Sequence, residues 1–367
     1  MQNTERVNVE PIEFGHVSPK LKEAVEQMVH CKYIMDNAVS SNWGAMLAGD
    51  LHAGGYGPHE PYSFLYKILP FISESCLDRG KSYKALVPTS HTLGCSWRWR
   101  TSSLTEDEIE RLKVELTDTQ ALIDGTLNPA AYTYFKSLGI VAPSEGKNRC
   151  DFLRGQGIQS IPAEVSERGY PAPERIKIYN VEQSGFRAMW AVLDERWVQV
   201  ISHPSWTIPI LQAYGVTTSR WPENYPLAEQ VQLAFFESSG TTSAFGNPDL
   251  SNDDVVDLAT ITARGEHQSE RITSSLIDLK HVCIDSRLWK SAGAAFLLSS
   301  IALVAAPSGW IELRIMAAMV WGGALTAACV PLMSIIRTRR KDIKRELPLP
   351  LEKAPKYEHI ARPRLYG

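Results

Sequence analysis

Apolar residues recur at helical spacing over residues 17 to 39, where Leu21, Ala24, Val25, Met28 and Met35 form one stripe behind Ser18-Pro19. A proline in the first turn followed by such a stripe predicts a helix whose apolar side is buried. The spacing returns from Leu104 to Leu122, with Ile109, Leu112 and Leu116 on one face and Thr105-Glu106-Asp107-Glu108 in front. That tetrapeptide reads as a capping box, in which the Thr hydroxyl and the Glu carboxylate each take an amide the helix leaves open. Further on the pattern shortens. Gly139 to Ala142, Ile161 to Val165, Arg175 to Val181 and Arg187 to Val200 are β-like runs, and Asp194-Glu195 within the last predicts a hairpin turn. Asn148 to Gly155 reads as a short helix with Phe152 and Leu153 facing inward, closed by Gly157-Ile158. The expectation is an α+β body.

Near the end of the chain the pattern becomes continuous. Ala292 to Ala306 carries no charge and is flanked by Trp289 and Trp310; after Pro307-Ser308-Gly309, the run from Ile315 to Ile336 is again uncharged and apolar. Interfacial tryptophans and the small residues of Trp321-Gly322-Gly323-Ala324 suit a two-helix transmembrane hairpin over residues 291 to 336. A pair of buried core helices is the alternative, because the first run is shorter than the ~20 residues that usually cross a bilayer. Charge placement favours the hairpin. Arg337, Arg339, Arg340, Lys341, Lys344 and Arg345 follow it, Lys280, Arg287 and Lys290 precede it, and the connecting turn has no Lys or Arg. By the positive-inside rule both termini are expected on the cytoplasmic side of an inner membrane. Glu312 and Arg314 sit where they reach the headgroups or pair across one turn.

The organisation expected from these patterns is an N-terminal helical and loop region (1–84), a principal domain with a β-rich extension (85–237), and a turn-rich connector (238–252). A helical stalk (253–290), the hairpin (291–336) and a basic cytoplasmic tail (337–367) complete it. Val256, Ile261, Ile272, Leu276 and Leu279 mark residues 253 to 284 as either a stalk or a homo-oligomerisation helix.

Composition changes little in this picture. A net charge of -3 and a charged fraction of 22% exclude a global basic field, so any nucleic-acid contact is local. Cysteines at 31, 76, 95, 150, 283 and 329 lack metal-type spacing and fit a reducing cytoplasm. His52, His59 and Glu60 lie in a Gly- and Pro-rich loop, where isolated histidines are commoner than a metal site. Trp190, Trp197, Trp206 and Trp221 are either stacking platforms or core residues. Cys150 is a thiol whose acidity a basic helix start would raise and burial would suppress.

The stretch with the most chemistry is Glu145-Gly146-Lys147-Asn148-Arg149-Cys150. A glycine before a helix lets the backbone approach a ligand, the first amides face it, and Lys147 and Arg149 add positive charge where a phosphate would sit. An ordinary turn with solvated basic side chains is the competing reading.

Its neighbours fall in a telling order: Trp97-Arg98-Trp99-Arg100, a helix, Gly125-x-x-Asn128-Pro129, a strand, Gly146-Lys147-Asn148-Arg149, a helix, Gly157-Ile158, and a strand containing Ile161-Pro162. From about residue 85 to 180 this succession resembles the ParB/sulfiredoxin-like fold, specifically ParB-type N-terminal domains. The resemblance implies a nucleoside triphosphate with Mg²⁺ held by Gly146, Lys147, Asn148 and Arg149, with Arg98 or Arg100 approaching from the earlier basic box. It also implies departures. Lys147 and Asn148 stand where the partition proteins carry an acid and a second arginine, and where the sulfiredoxin branch has its reactive cysteine this chain has Lys147. In a branch with kinase activity a carboxylate acts as base, for which Glu145 is the nearest residue. No helix-turn-helix is evident after residue 180. Three readings follow: a membrane-tethered nucleotide-binding protein acting on DNA or a protein partner, as in mobile-element maintenance or transfer; a phosphoryl-transfer or nucleotide-hydrolysing enzyme; and a membrane scaffold whose ligand site has degenerated.

Overall fold

The computed structural model describes residues 9–39, 48–51, 57–72, 82–95, 104–127, 130–183, 185–238 and 255–344. Its chain divides into two compact units, Met1–Ile261 and Thr262–Gly367. Fold and connectivity are mixed α and β.

Helix α1 (Pro19–Val39) follows from the first apolar stripe, burying Leu21, Val25, Met28 and Val29. Helix α2 (Pro61–Ile68) places Phe64, Leu65 and Ile68 in the same core. The predicted helix from Leu104 to Leu122 is in fact two, α3 (Glu106–Thr117) and α4 (Thr119–Asp124). Thr105 and Glu108 form the expected capping box, while Asp118 ends one helix and caps the next by accepting from the amides of Gln120 and Ala121. An Asp that bonds local amides favours a cap over a helix interior, which explains the break.

Five strands make the first sheet, in the order β1 (Glu10–Pro11), β2 (Ser82–Pro88), β5 (Ser160–Arg168), β3 (Ala131–Phe135), β4 (Ile140–Pro143). β3 and β4 form a hairpin in which Phe135 pairs with Ile140, and the chain then crosses through helix α5 (Lys147–Gly155) to lay β5 parallel to β3. Gly139 in the hairpin turn has φ of +69°, and a Cβ there would press on Val17 Cγ2 at 3.2 Å. This strand, turn, helix and strand succession is the one the sequence predicts.

The second sheet runs β10 (Val255–Asp257), β8 (Trp197–Val200), β7 (Phe186–Leu193), β6 (Ile176–Gln183), β9 (Thr217–Arg220). Asp194 and Glu195 form the predicted turn between β7 and β8, both at positive φ (52° and 56°). Non-glycine residues seldom adopt that region, and ion pairs from Arg175 (2.6 Å) and Lys177 (2.7 Å) hold them there. Helices α6 (Pro204–Tyr214) and α7 (Ala228–Ser238) accompany this sheet in sequence, α6 contributing Ile210 and Leu211 to the first core and α7 contributing Val231 and Ala234 to a second. Trp190, 1% exposed, is the centre of that second core, with Trp221 packed edge-on at 4.9 Å. For Trp190 the core reading holds.

Where a continuous stalk was expected, the chain makes β10, helix α8 (Leu258–Ser269) and strand β11 (Arg271–Ser274), and then runs on irregularly to residue 285. The start of the basic tail is also structured: β12 (Ile336–Arg339) pairs antiparallel with β11. Propensity alone favoured a helix here, and pairing with a segment far along the chain overrides it.

Between these strands lie helices α9 (Ser286–Ala305) and α10 (Ile311–Cys329). Asp285 caps α9 through the Arg287 amide, so the helix starts well before the apolar run. Its 20 residues span about 30 Å, the thickness of a bilayer's hydrocarbon. Mean hydropathy over the apolar windows is 1.6 and 1.8, yet only 6% and 17% of those residues are buried. Little of either helix is covered among the described residues. They meet each other through Phe296 and Trp321, 5.2 Å apart, and Arg314 folds back to donate to the Ala306 carbonyl at 2.7 Å. Both are long and apolar enough to cross a membrane.

Candidate functional site

Strand β4 delivers the chain to a turn anchored on β3. The amides of Ser144 and Glu145 both donate to the Ala131 carbonyl, at 2.9 and 3.2 Å, and the Ser144 hydroxyl joins them. Gly146 then adopts the left-handed conformation (φ 80°, ψ 15°) as the residue before α5, and no side chain caps the helix. A left-handed glycine opening an uncapped helix aims backbone N–H groups outward and concentrates the positive end of the helix dipole there.

The side chains of the turn divide. Glu145 is exposed and Lys147 is half-buried in an ion pair with Glu60. Asn148 is half-buried, and its Oδ1 is enclosed without a hydrogen bond among the described residues. Arg149 differs from expectation: it is 2% exposed, and its charge acts on Tyr132 and Cys150 behind the helix. Successive helical residues turn by about 100°, so Arg149, two positions past Lys147, projects to the packed side when Lys147 projects outward. Arg98 and Arg100 lie outside the described residues. Cys95, the last residue described before them, donates its amide to the Lys147 carbonyl at 3.2 Å.

Behind the turn lies a buried ionic cluster that the sequence reading missed. Lys32 of α1 donates to Asp36 at 2.5 Å and to the carbonyls of His59 and Gly94 at 3.0 Å each. Asp151 of α5 accepts from Arg154 at 2.6 Å, and Arg154 also donates to the Thr89 carbonyl (2.8 Å) and to that of Thr92. Gly94 is where the two halves meet. A Cβ on it would stand 1.8 Å from Asp151 Oδ1, so only glycine admits this carboxylate. Burial pushes Asp36 up to about 7, outweighing the pull of Lys32, and the neighbouring Asp151 charge adds to the rise. A signal was present in the sequence. Lys32 and Asp36 continue the stripe of Leu21, Val25, Met28 and Val29, so two charges interrupt an apolar face.

Burial settles the state of the thiols. It pushes Cys150 up to about 12, against the lowering contact with Tyr132 Oη at 3.1 Å, and Cys95 up to about 11. Both are protonated and unreactive at neutral pH. His59 contacts the Asp50 carbonyl at 3.0 Å and Glu60 is engaged with Lys147, while His52 lies outside the described residues. No cluster of metal-ligating side chains occurs among the described residues.

The Gly146 turn lines neither of two hollows elsewhere in the first unit. One, of about 1210 Å³, is an open groove beside Arg220, Trp221 and Phe236. The other, of about 460 Å³, is edged by Asp50, whose carboxylate lies between Lys67 (2.6 Å) and His203 (3.0 Å). No protein-family model, curated protein or solved structure matches the chain.

Proposed function

We propose that the first unit is a ParB-like domain that binds the phosphates of a nucleoside triphosphate, with Mg²⁺, at the start of α5, and that the apolar helix pair holds it at a membrane. The observation that carries this reading is Gly146, left-handed and uncapped, between β4 and a helix that leads into β5. Burial of Arg149 shapes it. The backbone amides and Lys147 are the phosphate contacts, Lys147 exchanging Glu60 for the ligand, and Arg149 supports the turn from behind. Arg98 and Arg100 retain the role the resemblance gives them, three and five residues after Cys95, whose amide bonds the Lys147 carbonyl. DNA or a protein partner is then engaged at the membrane surface.

The test is titration of the purified full-length chain in detergent with CTP, ATP and GTP plus Mg²⁺, alongside Lys147→Gln. The reading expects binding of at least one nucleotide and a weakening of about tenfold in the variant, the scale of one charge-assisted contact. Absence of binding to all three nucleotides overturns it. Release of inorganic phosphate would move the function to nucleotide hydrolysis with Glu145 as the base. For the anchor, the full chain should resist extraction from membranes by alkaline carbonate.

A further inference from the structure

Strands β11 and β12 pair Arg271 with Arg339, Ile272 with Thr338, Thr273 with Arg337 and Ser274 with Ile336. Directly opposed residues share a face and alternate residues lie on the same side, so Arg271, Arg337 and Arg339 all stand on one face of the ribbon. That face is exposed, whereas Ile272, Ile336, Thr338 and Ser274 on the other are wholly or partly buried. Arg271 and Arg339 face each other directly, an arrangement that costs stability unless an anion lies between.

Three of the four acids nearby are engaged elsewhere, and Asp342 is joined to the ribbon's neighbours only through its carbonyl, which accepts from the Lys280 amide at 2.8 Å. Glu270 pairs with Arg340 at 2.8 Å, Asp278 accepts from Ser275 at 2.6 Å and Asp285 caps α9. None of the three face arginines has an acidic partner among the described residues. Across residues 270–290 and 336–344 there are nine Lys and Arg against four Asp and Glu.

Position selects the anion. β12 begins four residues after the end of the second apolar segment at Leu332, a reach of at most about 14 Å. The ribbon therefore sits at the level where a bilayer containing α9 and α10 has its phosphate groups. We infer that the Arg271, Arg337 and Arg339 face is a binding site for anionic phospholipid headgroups. This rests on the membrane reading above. Guanidinium forks bind phosphate oxygens in pairs, and a phosphate between Arg271 and Arg339 turns their repulsion into a shared contact.

The experiment reconstitutes the full chain into phosphatidylcholine vesicles carrying traces of spin-labelled phosphatidylglycerol or phosphatidylcholine, and compares the motionally restricted lipid fractions. The anionic label is expected to associate on the order of tenfold more strongly at low salt, since basic side chains close to the surface favour anionic headgroups. The variant R271Q/R337Q/R339Q should lose this preference and R271K/R337K/R339K should keep most of it. Equal association of both labels in a carbonate-resistant protein overturns the lipid site while leaving the anchor intact; loss of carbonate resistance overturns both. Binding of a 20-base-pair duplex that the glutamine variant abolishes, without lipid preference, would make this a nucleic-acid face and overturn the inference.

Discussion

Arg154 and Arg339 carry the same guanidinium into opposite circumstances. Arg154 lies over the Tyr33 ring with its centre 5.4 Å away, bonds Asp151, and reaches two backbone carbonyls that fix the turn after β2. Arg339 is exposed on a four-residue strand and faces another arginine. In the Lys32, Asp36, Asp151 and Arg154 cluster of the first unit, charges are enclosed and paired, so their removal strands a partner in a medium that cannot solvate it. On the β11–β12 face of the second unit, they are displayed and their removal leaves no enclosed partner. Enclosed charge specifies the architecture, whereas displayed charge is free to meet a ligand.

The strongest way to break this contrast is Lys32→Met. It leaves Asp36 and Asp151 buried beside each other and is expected to cost about 3–5 kcal/mol in denaturant unfolding of the full chain, followed by tryptophan fluorescence. Acidity sharpens the same point. Asp36 is raised from 3.8 to about 7 in the folded state, so the folded protein holds this proton more tightly than the unfolded chain. Its contribution is complete below about pH 4 and is lost as pH rises to about 7, on the order of 4 kcal/mol. Asp36→Asn should flatten that slope in unfolding measured from pH 4 to 8; an unchanged slope would show that other groups set it.

Gly94→Ala comes next. The new methyl collides with the Asp151 carboxylate and should cost about 1–3 kcal/mol, and the double variant with Asp151→Ala should cost less than the sum of the single changes. The smallest effect belongs to the exposed face. Arg339→Glu replaces a like-charge pair by an attractive one and should alter stability by under about 1 kcal/mol, with gain the expected direction. A large loss there would erase the distinction between the two regions.

Local signals in the sequence were read correctly where the structure depends on near neighbours. The capping box at Thr105, the turn at Asp194-Glu195 and the run from β4 through α5 to β5 all follow from residues a few positions apart. What was not legible depended on distant partners. β10 joins β8 across more than fifty residues, and β11 meets β12 only after two long helices, so helical propensity from 253 to 284 had no local competitor. The candidate site was half legible. Gly146 and its turn were evident from composition, but the inward placement of Arg149 depends on the helix's rotation against Tyr132, which sequence spacing does not specify. Lys32 and Asp36 were hidden by their ordinariness, since a Lys and an Asp four apart usually decorate a wet helix face.

The ribbon of β11 and β12 also imposes an order of events on biosynthesis. β11 leaves the ribosome about sixty residues ahead of the strand that completes it, with Ile272 unmatched until Thr338 has been made. Closing a loop of that length is entropically costly, so pairing waits for the intervening helices to collapse on each other and bring its ends together. The ribbon is thus a latch that shuts only on a chain whose second long helix has been synthesised to its end. A chain stopped before Ile336 presents β11 as an unpaired edge, the kind of surface that quality-control proteases and chaperones recognise.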